Sequence, residues 1–276
     1  MDFDPARPPS LPRDAAAVIL ARARPEDGAA EVLLVRRTAK AAFMARAHVF
    51  PGGARDGEED LRATAARELF EEAGVLLADR ASDPAARAAL RARAAAGEPL
   101  GALLAEAGLG LDLERLVPFA HWITPSAEKR RFSARFFLAE LPTGQEVAVD
   151  GQETVEARWA VPGDALARLE DWHLPPPQLR SLWELRQAAA RGPGALLALA
   201  RERAAHVTPI VPRFALVEGA PLGFALLLPW DRDYESAGQG EGRPLATEHP
   251  LAGGPSRFVL AGELWRQVAP GEESSA

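Results

Sequence analysis

Apolar and polar positions divide the chain into short, well-punctuated elements. Residues 15–21 (AAAVILA) and 31–37 (EVLLVRR) are apolar runs of strand length, separated by the turn material Pro25-Glu26-Asp27-Gly28. Residues 47–50 predict a third, short strand that delivers Pro51-Gly52-Gly53 into a loop. Residues 60–73 contain no Gly or Pro and are rich in Ala, Leu, Arg and Glu. They predict a helix that stops at Gly74. Two Ala-rich amphipathic helices are expected at 84–93 and 100–107. Strands follow at 117–124 and 131–141, around the polar loop 125–130, and again at 154–160. Helices are expected at 163–169, at 178–191 (apolar at Leu179, Leu182, Leu185 and Ala188) and at 195–205, with Pro175-Pro176-Pro177 stopping the chain before the second. Beyond His206 the pattern turns β-like. Residues 214–218, 223–228 and 257–268 predict strands around the turns Glu218-Gly219 and Ala261-Gly262, and 236–254 is Gly- and Pro-rich loop.

This order predicts an α/β chain in three parts. Residues 1–14 form a loose, Pro-rich tail; 15–205 form the principal domain, with a helical insertion at about 76–116; 206–276 form a β-rich C-terminal extension. Composition agrees with a folded chain, at 47% hydrophobic and 26% charged. A net charge of -7 and a pI near 5.4 argue against a protein that coats nucleic acid. The absence of cysteine excludes disulfides, thiolate catalysis and cysteine-based zinc sites. The first residues lack the layout of a signal peptide, and the densest apolar run, 224–230, is far too short to span a bilayer. The expectation is a cytoplasmic protein without a membrane partner. Oligomeric state is not encoded in any pattern of the chain.

The chemistry concentrates on the helix at 60–73. Glu68, Glu71 and Glu72 stand in the i, i+3, i+4 relation and share one face, with Ala66, Leu69, Phe70 and Ala73 on the other. Three carboxylates on one turn repel one another and, at a helix C-terminus, oppose the macrodipole. A solvated acidic face would interleave Lys or Arg among them. A hard divalent cation, which takes oxygen ligands, removes the repulsion. The paired glycines just upstream let backbone approach a ligand or a metal.

The surrounding spacing is Gly53, five residues, Glu59, seven residues, then Arg67-Glu68-Leu69-Phe70-Glu71-Glu72-Ala73-Gly74-Val75. It resembles the Nudix box at every fixed position, a match expected by chance only about a few times in a hundred thousand. Leu33, Leu34, Arg37 and the run Phe50-Pro51-Gly52-Gly53 resemble the upstream segment of Nudix coenzyme A diphosphatases. Ala42 and Arg46 depart from it, standing where that signature carries Arg and Gly. HVFPGG, HWITP, RRFSARFFLAELP and LPPPQLRSLWEL, with a helical insertion after the box, resemble the Nudix motif 19-like branch over roughly 15–205.

That resemblance implies the Nudix fold, a mixed sheet sandwiched between helices, and Mg²⁺- or Mn²⁺-dependent hydrolysis of a small-molecule diphosphate. Glu68 and Glu72 are then the primary metal ligands, Glu71 a third ligand or a water-positioning base, and Gly52 a backbone carbonyl ligand. Glu59 and Arg67 form the ion pair that orients loop and helix. Arg36, Arg37, Arg130, Arg131 and Arg135 are candidate phosphate contacts, of which one or two are expected to serve. Alternation places Arg131, Ser133 and Arg135 on one strand face, so Arg131 and Arg135 act together or not at all. Glu153 or Glu156 is a candidate further carboxylate, with an exposed strand position the plainer reading of each. His48, His121 and Trp122 are expected near the cleft, Trp122 as packing. CoA or acyl-CoA is the leading substrate. ADP-ribose, NADH or another nucleoside diphosphate conjugate is the enzymatic alternative, and a non-catalytic nucleotide-binding regulator the alternative of another class.

Overall fold

The structure, a computed structural model, describes residues 10–40, 44–237 and 240–273. The expected elements form in the expected order: strands β1 (Arg13–Ala23), β2 (Ala30–Arg37), β3 (His48–Val49) and β4 (Gly52–Ala54) precede helix α1 (Leu61–Ala73). The helices α2 (Pro84–Ala95) and α3 (Leu100–Glu106) follow, then β5 (Val117–Ile123), β6 (Phe132–Glu140), β7 (Thr154–Ala160), α4 (Pro162–Ala167), α5 (Pro176–Ala189) and α6 (Pro193–Ala204). The rest is β8 (Pro209–Ile210), β9 (Arg213–Leu216), β10 (Phe224–Leu227), β11 (Arg257–Ala261) and β12 (Leu264–Val268).

Strands β3-β2-β1-β6-β5-β8 lie in that order in a mixed sheet, with β4 paired to β1 and β7 to β2. Its central strand, β1, is parallel to β6 and antiparallel to both β2 and β4. Residues 21–23 of β1 pair with β2 and residues 15–17 with β4. Both faces of β1 are buried, so the period-2 pattern divides between two cores. Ala17, Ile19 and Ala21 face α5 and α6, while Ala16, Val18 and Leu20 face α1. This is the helix–sheet–helix sandwich.

Differences from the expected boundaries have simple local causes. β1 begins at Arg13, whose N–H donates to the Arg131 carbonyl at 2.9 Å, so pairing reaches into the segment read as tail. Residues 1–9 of that segment, like Ala42, lie outside the described residues. Gly52–Ala54, expected as loop, is a paired strand, because glycine at 52 lets its backbone lie tight against β1. A Cβ on Gly52 would stand 2.4 Å from the Ala16 carbonyl oxygen. The proline run does not stop α5 but starts it: Pro176 and Pro177 fill the first turn, where a missing N–H is no loss.

The C-terminal residues form β8, which joins the main sheet beside β5, and a separate antiparallel sheet, β12-β11-β10-β9. One face of this second sheet keeps a small core around Tyr234 and Val259. Its other face, with Leu226 and Phe258, is continuous with the core under α5 and α6. Among the described residues no helix is long and apolar enough to cross a membrane.

Candidate active site

Helix α1 is fixed at both ends. Asp60 caps its start, accepting the Arg62 N–H at 2.8 Å. At its end the four carbonyls that lack intrahelical donors are all satisfied. Gly74, at φ 71°, donates its N–H to Phe70 at 2.9 Å, and Ala148 N–H donates to Ala73 at 2.9 Å. Thr154 Oγ1 donates to the Glu72 carbonyl at 3.2 Å, and Arg91 of α2 reaches the Glu71 carbonyl with Nε at 3.1 Å and Nη2 at 2.6 Å. Ala66, Leu69 and Ala73 press on the sheet, and Phe70 packs on the insertion against Leu90, Leu103 and Leu104. Glu68, Glu71 and Glu72 are left lining a cleft of about 1970 Å³.

Glu72 is 3% exposed, with Oε2 accepting the Gly52 N–H at 3.0 Å. Its Oε1 is buried without a hydrogen-bond partner, and Arg37 Nη1 stands 4.0 Å from it. Burial, with the charge of Glu68 beside it, pushes the Glu72 carboxyl up to about 8, against the Gly52 N–H and Arg37. Burial pushes Glu68 up to about 7 despite Arg67, and raises Glu71 too. Gly53 leaves room for the Glu68 carboxylate: a Cβ on it would lie 2.5 Å from that group and displace it.

The counter-charge that the helix pattern hides is Arg67. Its Nη1 donates to Glu68 at 2.9 Å and to Glu71 at 3.1 Å, while Nη2 reaches Glu59 at 3.3 Å and the Ala54 carbonyl at 3.2 Å. Burial alone would pull its guanidinium down; Glu68, Glu71 and Glu59 reverse that and hold it above its ordinary value. One arginine thus ties the β4 strand, the preceding loop and two carboxylates together.

The remaining expected residues separate. Arg37 lines the cleft, and its Nε is buried without a partner. Arg130 also lines the cleft. Arg36 does not; it pairs with Glu156 at 3.1 Å on a solvated edge. The substrate-contact expectation therefore fails for Arg36 and Glu156, which neutralise each other across β2 and β7. Arg131 and Arg135 are corrected as well. The cleft face of β6 is the one bearing Phe132, Ala134 and Phe136. Arg131 is buried, donating to the Thr124 and Ser10 carbonyls and to Glu241, and Arg135 lies outside the cleft beside His121. Of the two candidate carboxylates it is Glu153 that lines the cleft and adds to the upward pressure on Glu68 and Glu72.

His48 and His121 are packing residues. Each is 4% exposed and neither lines the cleft. His48 Nδ1 accepts the His173 N–H at 3.1 Å, and its ring meets Trp172 edge-on; His121 Nε2 pairs with Ser133 Oγ at 2.9 Å. Trp122, 4% exposed, lines the cleft while packed in the core.

Sequence reasoning passed over Arg91, Asp150 and Thr154. Asp150 accepts the Glu153 and Thr154 N–H groups at 2.9 and 2.8 Å and the Thr154 hydroxyl at 2.8 Å, shaping the loop that presents Glu153. No motif carries these three, because all act on backbone.

The donor set suits a divalent cation: hard oxygens and an orphaned, buried Glu72 Oε1 that no protein donor satisfies. Among the described residues no three His, Asp or Glu side chains stand together in a group that could hold a metal ion in this arrangement. Arg67 engages oxygens of Glu68 and Glu71 in this arrangement.

Comparison with known proteins agrees with this geometry. The sequence model of the NUDT19 Nudix domain matches residues 56–186, and that of the NUDIX domain matches 11–89. A Caenorhabditis elegans protein named nudix hydrolase 7 is 30% identical over 190 residues, 63% of this chain. The match spans 61% of that relative, less than two thirds of its length. The crystal structure of a NUDIX hydrolase from Alicyclobacillus acidocaldarius is 27% identical, covering 69% of this chain and 96% of that one, with a TM-score of 0.57.

Proposed function

We propose, from the chain's membership of the Nudix superfamily of hydrolases, that it hydrolyses the diphosphate linkage of a nucleoside diphosphate derivative, with CoA or acyl-CoA the preferred substrate. The observation that carries the reading is Glu72: a carboxylate buried beside a cleft, held on one oxygen by Gly52 N–H and left unpartnered on the other. A buried carboxylate oxygen without a partner is costly, and a bound cation would offset that cost.

Glu68 and Glu72, with Glu71 and the Gly52 carbonyl, are the proposed holders of Mg²⁺ or Mn²⁺. When bound, such ions polarise the diphosphate and lower the pKa of water. The chain's own contributions are orientation and charge. The four-fold capping of α1 fixes the carboxylates, and Arg67 neutralises Glu68 and Glu71. Arg37, with an unsatisfied Nε at the cleft, supplies a guanidinium to phosphate oxygens. Glu153 is the carboxylate proposed to orient or deprotonate the attacking water. Support for CoA derivatives comes from the resemblance of Leu33, Leu34, Arg37 and Phe50-Pro51-Gly52-Gly53 to the coenzyme A diphosphatase segment and from the cleft's size.

The test is a substrate panel (CoA, acyl-CoA, ADP-ribose, NADH and diadenosine polyphosphates) with purified protein and Mg²⁺ or Mn²⁺. CoA compounds are expected to give the highest kcat/KM, with phosphopantetheine and adenosine 3′,5′-bisphosphate as products. No turnover of any member would remove the catalytic reading.

A further inference from the structure

The cleft extends well beyond the carboxylates. At about 1970 Å³ it exceeds the usual span of roughly 300–1,000 Å³ for small-molecule sites. Part of its wall comes from the second sheet. Phe214 stands opposite Leu226 across β9 and β10, and Leu260 opposite Trp265 across β11 and β12. All four line the same cleft as Glu72, together with Trp122 and Phe132 of the main sheet. The sole charged side chain this sheet adds to the lining is Glu263, in the turn between β11 and β12.

This wall is held firmly. Arg180 of α5, 1% exposed, donates to the Leu251 carbonyl at 2.9 Å and the Pro255 carbonyl at 3.2 Å, and its guanidinium lies over Trp183 and Trp230. Gly254 passes so close to Trp183 that a Cβ would stand 2.0 Å from the ring. Besides Glu72 Oε1 and Arg37 Nε, one further polar group among the described lining residues lacks a partner. Gln178, in the first turn of α5 and 6% exposed, has a buried Oε1 that accepts no hydrogen bond. A donor on a bound ligand would satisfy this buried amide oxygen.

We propose that the C-terminal sheet builds an apolar subsite of the cleft that takes an acyl or alkyl arm of the diphosphate substrate, with Gln178 Oε1 accepting from an amide N–H of the linker that joins that arm to the diphosphate. The proposal rests on reading the carboxylates as the diphosphate end. Continuity of the lining from Glu72 to Trp265 commits the subsite to part of the same molecule. It gives the extension a role in specificity and none in the chemical step.

Metal-free calorimetric titration with CoA, butanoyl-CoA and octanoyl-CoA tests it, followed by hydrolysis assays of the same ligands with Mg²⁺. Affinity is expected to rise with chain length, octanoyl-CoA binding at least about tenfold tighter than CoA. Trp265→Ala and Leu260→Ser should erase most of that gain and leave CoA within about twofold of the parent. Gln178→Leu should weaken all three ligands equally, since the linker's amide N–H is common to them. Phe214→Ala, on another strand, serves as a third variant if either of the first two melts at assay temperature. Affinity independent of chain length, or equal losses for CoA and octanoyl-CoA in the wall variants, overturns the subsite. Chain-length-dependent binding without hydrolysis of any ligand keeps the subsite and removes the hydrolytic reading instead.

Discussion

Arg91, on a helix of the insertion, donates two hydrogen bonds to the backbone carbonyl of Glu71, at 3.1 and 2.6 Å, and a third to Ala148 at 2.7 Å. It is a cation at the C-terminus of the carboxylate-bearing helix, where the macrodipole favours one. The insertion therefore does more than cover the domain; it positions Glu71. Arg91→Ala is expected to cost about 1–3 kcal/mol of stability and to lower kcat more than it raises KM. Arg91→Lys, which keeps the charge but not the fork, should recover part of the stability and less of kcat. Thermal melts with steady-state kinetics check this, and unchanged kcat in Arg91→Ala would confine the residue to a packing role.

Arg37 and Arg135 make opposite predictions. Arg37 faces the cleft with an unsatisfied Nε, whereas Arg135 lies outside it. Arg37→Ala should raise KM about tenfold, the scale of one lost charge-assisted contact, and Arg135→Ala should leave it unchanged. Equal effects on KM would mean that the strand-face assignment of β6 is wrong.

The reading of β6 shows where sequence runs out. Alternation correctly separates Arg131, Ser133 and Arg135 from Phe132, Ala134 and Phe136. It cannot say which face meets the cleft, because both are buried or half-buried by different layers. The helix α1 was legible to within a residue, since Asp60, Gly74 and the carboxylate spacing are all local signals. The Glu59–Arg67 pair was legible only through the resemblance to the Nudix box. Arg91, Thr154 and Asp150 were not, because a side chain that bonds to a distant carbonyl leaves no periodicity. The second sheet was legible as strands, but its contribution to the cleft depends on contacts 200 residues apart from β1, about which pattern is silent.

His48 and His121 should make the fold acid-sensitive. Burial holds both imidazoles down at about 4, aided by Arg158 and Arg36 for His48 and by Arg135 for His121. Unfolded histidines titrate near about 6.5, so the unfolded chain binds more protons between the two values. Stability is fully present above the unfolded value and is lost as pH falls toward 4. Each should add uptake of about one proton on unfolding at pH 5.5. Denaturant melts from pH 7.5 to 4.5 measure the slope, and His121→Gln should reduce it. A slope identical in parent and variant would count against a neutral buried His121.

Arg46 takes φ 62°, the left-handed conformation that glycine adopts freely, at the position where the coenzyme A diphosphatase signature carries glycine. The backbone has kept the glycine conformation although the residue is Arg, at a cost of about 1 kcal/mol. Arg46→Gly should leave stability within about 1 kcal/mol of the parent, since relief of strain and added unfolded-state entropy oppose. Arg46→Ile, β-branched, should lower it clearly. If Ile were tolerated as well as Gly in urea melts, residue 46 would not be held in this conformation in solution.

Glu72→Gln separates the two demands placed on the buried carboxylate. Gln keeps an oxygen for the Gly52 N–H but carries no charge, so metal-dependent hydrolysis should fall by about a thousandfold or more, as when a charge-stabilising group is removed. Stability should move the other way in metal-free protein. The Glu72 carboxyl is raised from an ordinary carboxylate value to about 8. An acid raised on folding contributes stability that is present below its unfolded value and lost as pH rises through its folded one. The parent should therefore lose stability from about pH 4.5 to about pH 8 while Glu72→Gln loses less, and their difference in Tm should widen with pH in EDTA. Saturating Mg²⁺ or Mn²⁺ should raise the parent's Tm and close that gap, because the cation replaces the missing partner of Oε1. A gap that is flat with pH and indifferent to cation would be incompatible with a metal-binding Glu72.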